Sequence, residues 1–116
     1  MAILLSLAIL IGSIVSSEAQ IGLASVFNGG RTARGDYLHG HEMAVAHRTL
    51  ALGTKINIKN LSNGLQTTAI IRDRGPFIKH RIIDCLPRIA TILGFRKKGL
   101  QLVEITVVRK NRKEFI

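Results

Sequence analysis

The stretch KINIKNLSNGLQTTAIIRDRGPF, residues 55–77, carries the clearest fold signal in the chain. In residues 55–60 polar and apolar side chains alternate, which is the period of a strand with one buried face. Asn63 and Gly64 then supply a tight turn, because glycine adopts a positive φ without strain. Residues 66–72 follow with several threonines and isoleucines, which favour extended backbone. The stretch therefore predicts a β-hairpin.

Shorter elements are predicted on both sides of this hairpin. Residues 22–27 form an opening strand that stops at a glycine-rich loop, residues 81–84 form a short strand, and residues 102–108 form a closing strand. A helix begins near Pro87, which is tolerated in a first helical turn, and ends at Gly94. Short strands with one brief helix predict an all-β barrel or sandwich rather than a parallel α/β sheet.

The chain has 116 residues, which suits one domain. Residues 1–19 are predicted to be a signal peptide, because an apolar run over residues 3–15 precedes Ser17 and Ala19, two small residues spaced as a signal peptidase requires. The alternatives are a first core strand or a retained membrane anchor. We expect cleavage after Ala19, no lipid anchor, since no cysteine follows that site, and no stable membrane span afterwards. Residues 109–116 form a basic C-terminal tail.

The charge of the chain narrows the class of partner. Seventeen Lys and Arg residues against seven Asp and Glu give a formal net charge of +10. This charge favours nucleic acid, anionic lipid or an acidic cell-wall polymer, without choosing among them. Nucleic acid is disfavoured because only four Phe and one Tyr could stack on bases.

Metal and disulfide chemistry are not predicted. Cys85 is the only cysteine, so neither a disulfide framework nor a zinc cluster is available, and we expect it to be a small buried hydrophobic residue. The spacing of His39, His41 and His47 fits no zinc pattern. We therefore expect no metal and no cofactor.

Several linked motifs resemble the rare lipoprotein A family. They occur in the order and with the spacing of that family: TARGD (32–36), AVAHRTL (44–50), LGT (52–54), NLSNG (60–64), DRGPF (73–77) and RIID (81–84). The resemblance covers approximately residues 22–108, nearly the whole chain that would remain after removal of the signal peptide. The resemblance implies a six-stranded double-psi β-barrel over residues 20–108, with one or two short helices and a polysaccharide groove across one side.

The resemblance also implies an activity. Enzymes of the family cleave peptidoglycan glycan strands between N-acetylmuramic acid and N-acetylglucosamine without water, which leaves a 1,6-anhydro end. We therefore expect an exported lytic transglycosylase, monomeric, acting on glycan strands in the periplasm or cell envelope. The alternative is a cell-wall-binding barrel without catalytic activity, similar to expansins.

The resemblance assigns catalytic roles to three residues. Asp73 matches the catalytic Asp of the family and His47 its active-site His, while Asp36 stands where the family usually has Glu. The shorter side chain would move the carboxylate by roughly 1 Å, which costs about 100-fold where positioning is critical. From the residues alone, Asp73 could instead accept backbone hydrogen bonds in its turn, Asp36 could stabilise a loop, and His47 could be a packing residue.

The roles predicted for four further polar residues are less specific. Arg31, Arg48 and Arg74 are predicted to bind substrate, because a guanidinium group offers paired donors to acetyl, lactyl or carboxylate groups. A solvated basic surface is the alternative. Asp84 matches a family position, but we expect it to cap backbone amides around Pro87.

Overall fold

The computed structural model describes residues 19–109. The predicted signal peptide up to Glu18 and the predicted tail after Arg109 lie outside the described residues. The described elements follow one another in the order β1 (Gln20–Val26), β2 (Gly30–Arg31), β3 (Tyr37–Leu38), β4 (Ala44–Ala46), β5 (Lys55–Asn60), β6 (Gln66–Asp73), β7 (Arg81–Cys85), α1 (Pro87–Leu93) and β8 (Leu100–Val107).

Six of these strands close into a barrel in the order β1-β7-β4-β6-β5-β8. The pairs β1–β7 and β4–β6 are parallel, and the other neighbouring pairs are antiparallel. Each strand of the ring has a partner along both edges, which satisfies the backbone donors and acceptors that an open sheet would expose. Strands β2 and β3 form a separate two-stranded ribbon. The prediction of an all-β, six-stranded barrel is confirmed.

The predicted hairpin consists of β5 and β6, which pair from Lys55 opposite Ile70 to Lys59 opposite Gln66. The inward side chains of Ile56 and Ile58 have no exposed surface, as the alternating pattern predicts. At the turn, Gly64 has a φ of +78° and its N–H donates to the Asn60 carbonyl at 2.8 Å.

The barrel interior is filled by small and branched apolar side chains. They include Ala24, Val45, Ile56, Ile58, Ala69, Ile71, Ile83, Cys85, Val103 and Ile105. Cys85 is fully buried, which confirms its prediction as a small hydrophobic residue. Burial raises the pKa of its thiol far above the ordinary range, so it stays protonated.

Helix α1 covers one end of this core. Pro87 lies in its first turn, and Gly94 ends it in the left-handed conformation with a φ of +81°, as predicted. Ile89, Ala90 and Leu93 form its buried face. No helix within residues 19–109 has the length and apolar character needed to cross a bilayer.

Strand β4 was not predicted from the sequence. Its three residues are all buried, so the segment lacks the alternation that identifies a strand with one wet face. The strand pairs with β6 on one side and β7 on the other. Elsewhere the predicted boundaries move by one or two residues, and β6 extends to Asp73.

Asn60 joins the hairpin to the helix, and its replacement provides a test of this packing. It is 1% exposed; its Nδ2 donates to the Leu93 carbonyl at 2.8 Å and its Oδ1 accepts from the Ser62 N–H at 2.8 Å. We expect Asn60→Ala to lower the free energy of unfolding by about 2–3 kcal/mol in urea titrations, because two buried hydrogen bonds are lost.

The control is Asn63→Ala. Asn63 is exposed and also donates to the Leu93 carbonyl, at 3.0 Å. Water can replace this donor, so we expect a loss of less than about 1 kcal/mol. Equal losses for the two variants would contradict the view that buried Asn60 provides the main link.

Candidate active site

The barrel aligns two carboxyl groups on strands that flank β4. In the strand register, Ser25 of β1 lies opposite Asp84 of β7, Asp84 opposite Ala46 of β4, and Ala46 opposite Asp73 of β6. Asp73 and Asp84 thus lie in one row, separated by the strand that carries Ala46. Both are half-buried.

Asp73 is held by backbone amides at one oxygen only. Its Oδ1 accepts from the Ala33 N–H at 2.9 Å and from the Arg74 N–H at 2.8 Å. Within residues 19–109 no hydrogen bond is made to Oδ2. Asp73 therefore performs the turn-stabilising role considered from the sequence and still has one oxygen available to a substrate.

The loop between β2 and β3 is brought against Asp73 by the Ala33 contact, and it carries Asp36. The Asp36 carboxylate accepts a hydrogen bond from the Thr32 hydroxyl and forms an ion pair with Arg72 at 2.6 Å. The Thr32 bond, followed by the Arg72 bond, lowers the pKa of Asp36 to about 2. Both contacts therefore favour the ionised form of Asp36.

His47 is buried and holds the segment that follows it. Its Nδ1 accepts from the Thr49 and Leu50 N–H groups, each at 3.1 Å, so the ring proton lies on Nε2, which is 3.0 Å from Gln20 Oε1. Burial, and then the charges of Arg48 and Arg74, lower the pKa of His47. The ring is thus a neutral support.

The main chain of His47 also contacts the site. Its N–H donates to the Asp73 carbonyl at 3.0 Å. An open cavity of about 270 Å³ next to His47 is lined by Gln20, His47, Arg48, Thr49 and Ile82. The structure thus connects His47 to Asp73 through backbone.

The three arginines that the sequence nominated have different surroundings. Arg74 is half-buried, and its Nη1 donates to the carbonyls of His47 at 3.1 Å and Leu50 at 2.6 Å. Arg31 and Arg48 are exposed, and among residues 19–109 their side chains donate hydrogen bonds to the backbone carbonyls of Gly35 and Arg81, respectively. Arg74 therefore secures residues 47–50, whereas Arg31 and Arg48 offer guanidinium groups at the surface.

Asp84 differs from its prediction. The helix begins after Leu86 with no side-chain cap, so the expectation that Asp84 caps the amides around Pro87 is wrong. Its Oδ1 instead accepts from the Ser25 hydroxyl at 3.0 Å. Burial is the largest cause of a raised pKa at Asp84, and the charge of Asp73 adds to the rise. One sequence signal was available: Asp84 lies between inward-facing Ile83 and Cys85, so it points away from the core.

The histidines of the β3–β4 connection form an aromatic ladder at the surface. The ring centroid of His39 lies 4.8 Å from that of Tyr37 and 5.7 Å from that of His41. The part of the chain that the structure describes brings together no group of three or more His, Cys, Asp or Glu side chains able to hold a metal ion.

Comparison with known proteins shows the family. The family model described as lytic transglycolase matches residues 19–105. The endolytic peptidoglycan transglycosylase RlpA of Rickettsia bellii is 34% identical over 107 residues, which cover 86% of this chain and 47% of that protein. The probable endolytic peptidoglycan transglycosylase RlpA of Synechocystis sp. is 37% identical over 83 residues, which cover 72% of this chain and 26% of that protein. The chain thus spans less than half the length of these relatives.

Solved structures agree on the fold. A Streptomyces papain inhibitor superimposes with a TM-score of 0.66 at 17% identity, over 79% of this chain and 96% of its own. A mutant expansin of Clavibacter michiganensis in complex with cellohexaose gives 0.65 at 14% identity, over 80% of this chain and 52% of its own. They confirm the double-psi β-barrel. The matched family model and the RlpA relatives establish that this chain belongs to the lytic transglycolase family, the rare lipoprotein A family that its motifs resemble.

Proposed function

We propose that this protein is a peptidoglycan lytic transglycosylase that cleaves the bond between N-acetylmuramic acid and N-acetylglucosamine without water. The observation that carries the proposal is the row formed by Asp73 and Asp84, in which Asp73 keeps an unengaged Oδ2 and Asp84 has a raised pKa. The names of the relatives, endolytic peptidoglycan transglycosylases, support the same substrate.

The proposed reaction needs one proton donor and one proton acceptor. The donor protonates the glycosidic oxygen as its bond to C1 of N-acetylmuramic acid breaks. The C6 hydroxyl of the same sugar then bonds to C1 and gives its proton to a carboxylate. No water is consumed, and the products are a 1,6-anhydro end and a new N-acetylglucosamine hydroxyl.

We assign the substrate contact to Asp73 because its open Oδ2 lies where β6 enters a loop. Asp84 is a positioning residue: its carboxyl accepts a hydrogen bond from Ser25, and burial, with a smaller contribution from the charge of Asp73, raises its pKa. Asp36, paired with Arg72, orients the β2–β3 loop, which contacts Asp73 through the Ala33 N–H. His47 and Arg74 hold residues 47–50 beside Asp73.

The proposal includes a location and a partner. The leader-like pattern of residues 1–19 supports export to the periplasm or cell envelope, where peptidoglycan lies. The net charge of +10, together with exposed Arg31 and Arg48, favours an anionic wall polymer. We propose that the protein acts there as a monomer.

One observation favours a second function, that of a wall-binding barrel without activity. Asp36 replaces the Glu usual in the family, and both oxygens of its shorter side chain already accept hydrogen bonds, from Thr32 and Arg72. A carboxylate held in this way would form part of a binding surface and would not transfer a proton. The two functions differ in whether anhydro products form.

The first test is turnover by wild type and by Asp73→Asn. We expect wild type to release anhydro-muramyl products from purified glycan strands, detected by mass spectrometry. The rate of product release should fall by at least about 100-fold in Asp73→Asn, a typical contribution of a side chain that transfers a proton. The asparagine Oδ1 can still accept from Ala33 and Arg74, so the melting temperature should change little. Folded wild-type protein that binds strands but releases no anhydro product would favour the wall-binding function.

The second test uses the raised pKa of Asp84. The folded state holds the Asp84 proton more tightly than the unfolded state, so its contribution to stability is present at low pH and is lost as pH rises above the ordinary value of 3.8 through the folded pKa. We expect Asp84→Asn to raise the melting temperature at pH 7 but not at pH 3, and to change the pH profile of kcat. Ser25→Ala is the control for loss of their hydrogen bond. A lower melting temperature at pH 7, with an unchanged pH profile, would contradict this role.

A further inference from the structure

The loop between β6 and β7 exposes an aromatic side chain close to Asp73. Phe77 is 78% exposed and its neighbour Ile78 is 55% exposed, although Gly75 and Pro76, which precede them in the loop, are buried. An exposed aromatic side chain four residues from a candidate catalytic group is a candidate for ligand contact. None of the roles assigned above uses Phe77.

The loop is tied to the barrel before and after this residue. The Arg81 N–H donates to the Ile78 carbonyl at 3.2 Å, and the Leu23 N–H donates to the His80 carbonyl at 3.1 Å. On the other side, Arg74 holds two carbonyls of the segment after β4. Phe77 is therefore presented from an anchored backbone, which reduces the entropy lost when a ligand binds.

Gly75 supports the phenyl ring. Its φ of +115° is a conformation that favours glycine, and a Cβ placed there would lie 3.4 Å from Phe77 Cε2 and 3.6 Å from Cδ2. One side of the ring thus lies along the glycine backbone, while most of its surface faces solvent. The ring is supported on one side and available on the other.

We propose that Phe77 forms a sugar-stacking subsite next to Asp73, in which the apolar C–H face of one pyranose ring of the glycan strand packs on the phenyl ring. The negative face of an aromatic ring attracts such polarised C–H groups. Phe77 follows Asp73 by four residues, a chain distance of at most about 14 Å, which a strand of a few sugars spans. This subsite rests on the proposed substrate and adds a binding determinant to it.

The surroundings favour a sugar over a protein partner. Only Phe77 and Ile78 are strongly exposed apolar residues in this loop, and Lys79 and His80 follow them at the surface. A single aromatic ring bordered by polar groups suits a carbohydrate ring, whose edges carry hydroxyls and whose faces are apolar.

The test measures binding separately from cleavage. Peptide-free glycan strands are titrated against Asp73→Asn protein, which should not consume them, carrying in addition Phe77→Leu, Phe77→Trp or, as a matched control, Ile78→Ala. We expect Phe77→Leu to weaken binding about tenfold, the size of a typical aromatic contact, while Phe77→Trp stays within about threefold and Ile78→Ala is unchanged. In wild-type background, Phe77→Leu should raise KM more than it lowers kcat.

Every other outcome contradicts either the Phe77 subsite or the proposed transglycosylase activity. Equal binding by Phe77→Leu and its parent would overturn the subsite, whatever the cleavage assay shows. Equal weakening by Phe77→Leu and Ile78→Ala would also overturn it, because it would indicate a general apolar contact such as a lipid or protein surface. Binding that depends on the Phe77 ring, without anhydro products from wild type, would retain the subsite and reject the transglycosylase. Melting temperatures check that each variant is folded.

Discussion

The pairing of β4 with both β6 and β7 is the constraint on which the rest of the structure depends. Only three residues long, this strand supplies the parallel contact to β6 and the antiparallel contact to β7 that complete the ring. Without it, backbone groups of both neighbours would lose partners in the interior, at a cost of about 1–3 kcal/mol for each group left unsatisfied. The same pairing sets Ala46 between Asp73 and Asp84, so barrel closure and site geometry have one cause.

The carboxyl groups of Asp36, Asp73 and Asp84 lie in different environments, and this difference gives the site its chemical character. The Thr32 hydroxyl and the Arg72 guanidinium contact Asp36 and favour its ionised form, whereas burial favours the protonated form of Asp84. Asp73 lies at the end of β6 with one oxygen engaged by amides and the other open. Separate environments allow chemically identical groups to take separate roles, as acid-base chemistry near neutral pH requires.

The loops around Asp73 are fixed by polar contacts rather than by a large apolar cluster. Arg74 and the neutral ring of His47 form hydrogen bonds with backbone groups in residues 47–50. The Asp73 carboxylate accepts a hydrogen bond from the Ala33 N–H and so holds the β2–β3 loop. Such contacts are directional, so they fix the positions of these loops while leaving much of their surface exposed. Phe77, on an anchored loop, adds an apolar surface to this polar setting.

The sequence by itself determined the β5–β6 hairpin, the limits of α1, the burial of Cys85 and, through linked motifs, the family. These features depend on periodicity, turn chemistry and residue identity, all of which are local. Only the tertiary structure decided that β4 is a strand, that Arg74 and His47 support a loop, and that Asp84 joins Ser25 instead of capping the helix. The reason is physical: Ser25 and Asp84 are 59 positions apart, and Ala33 and Asp73 are 40 apart. Contacts over such separations arise from strand register in the closed barrel, which no local pattern specifies.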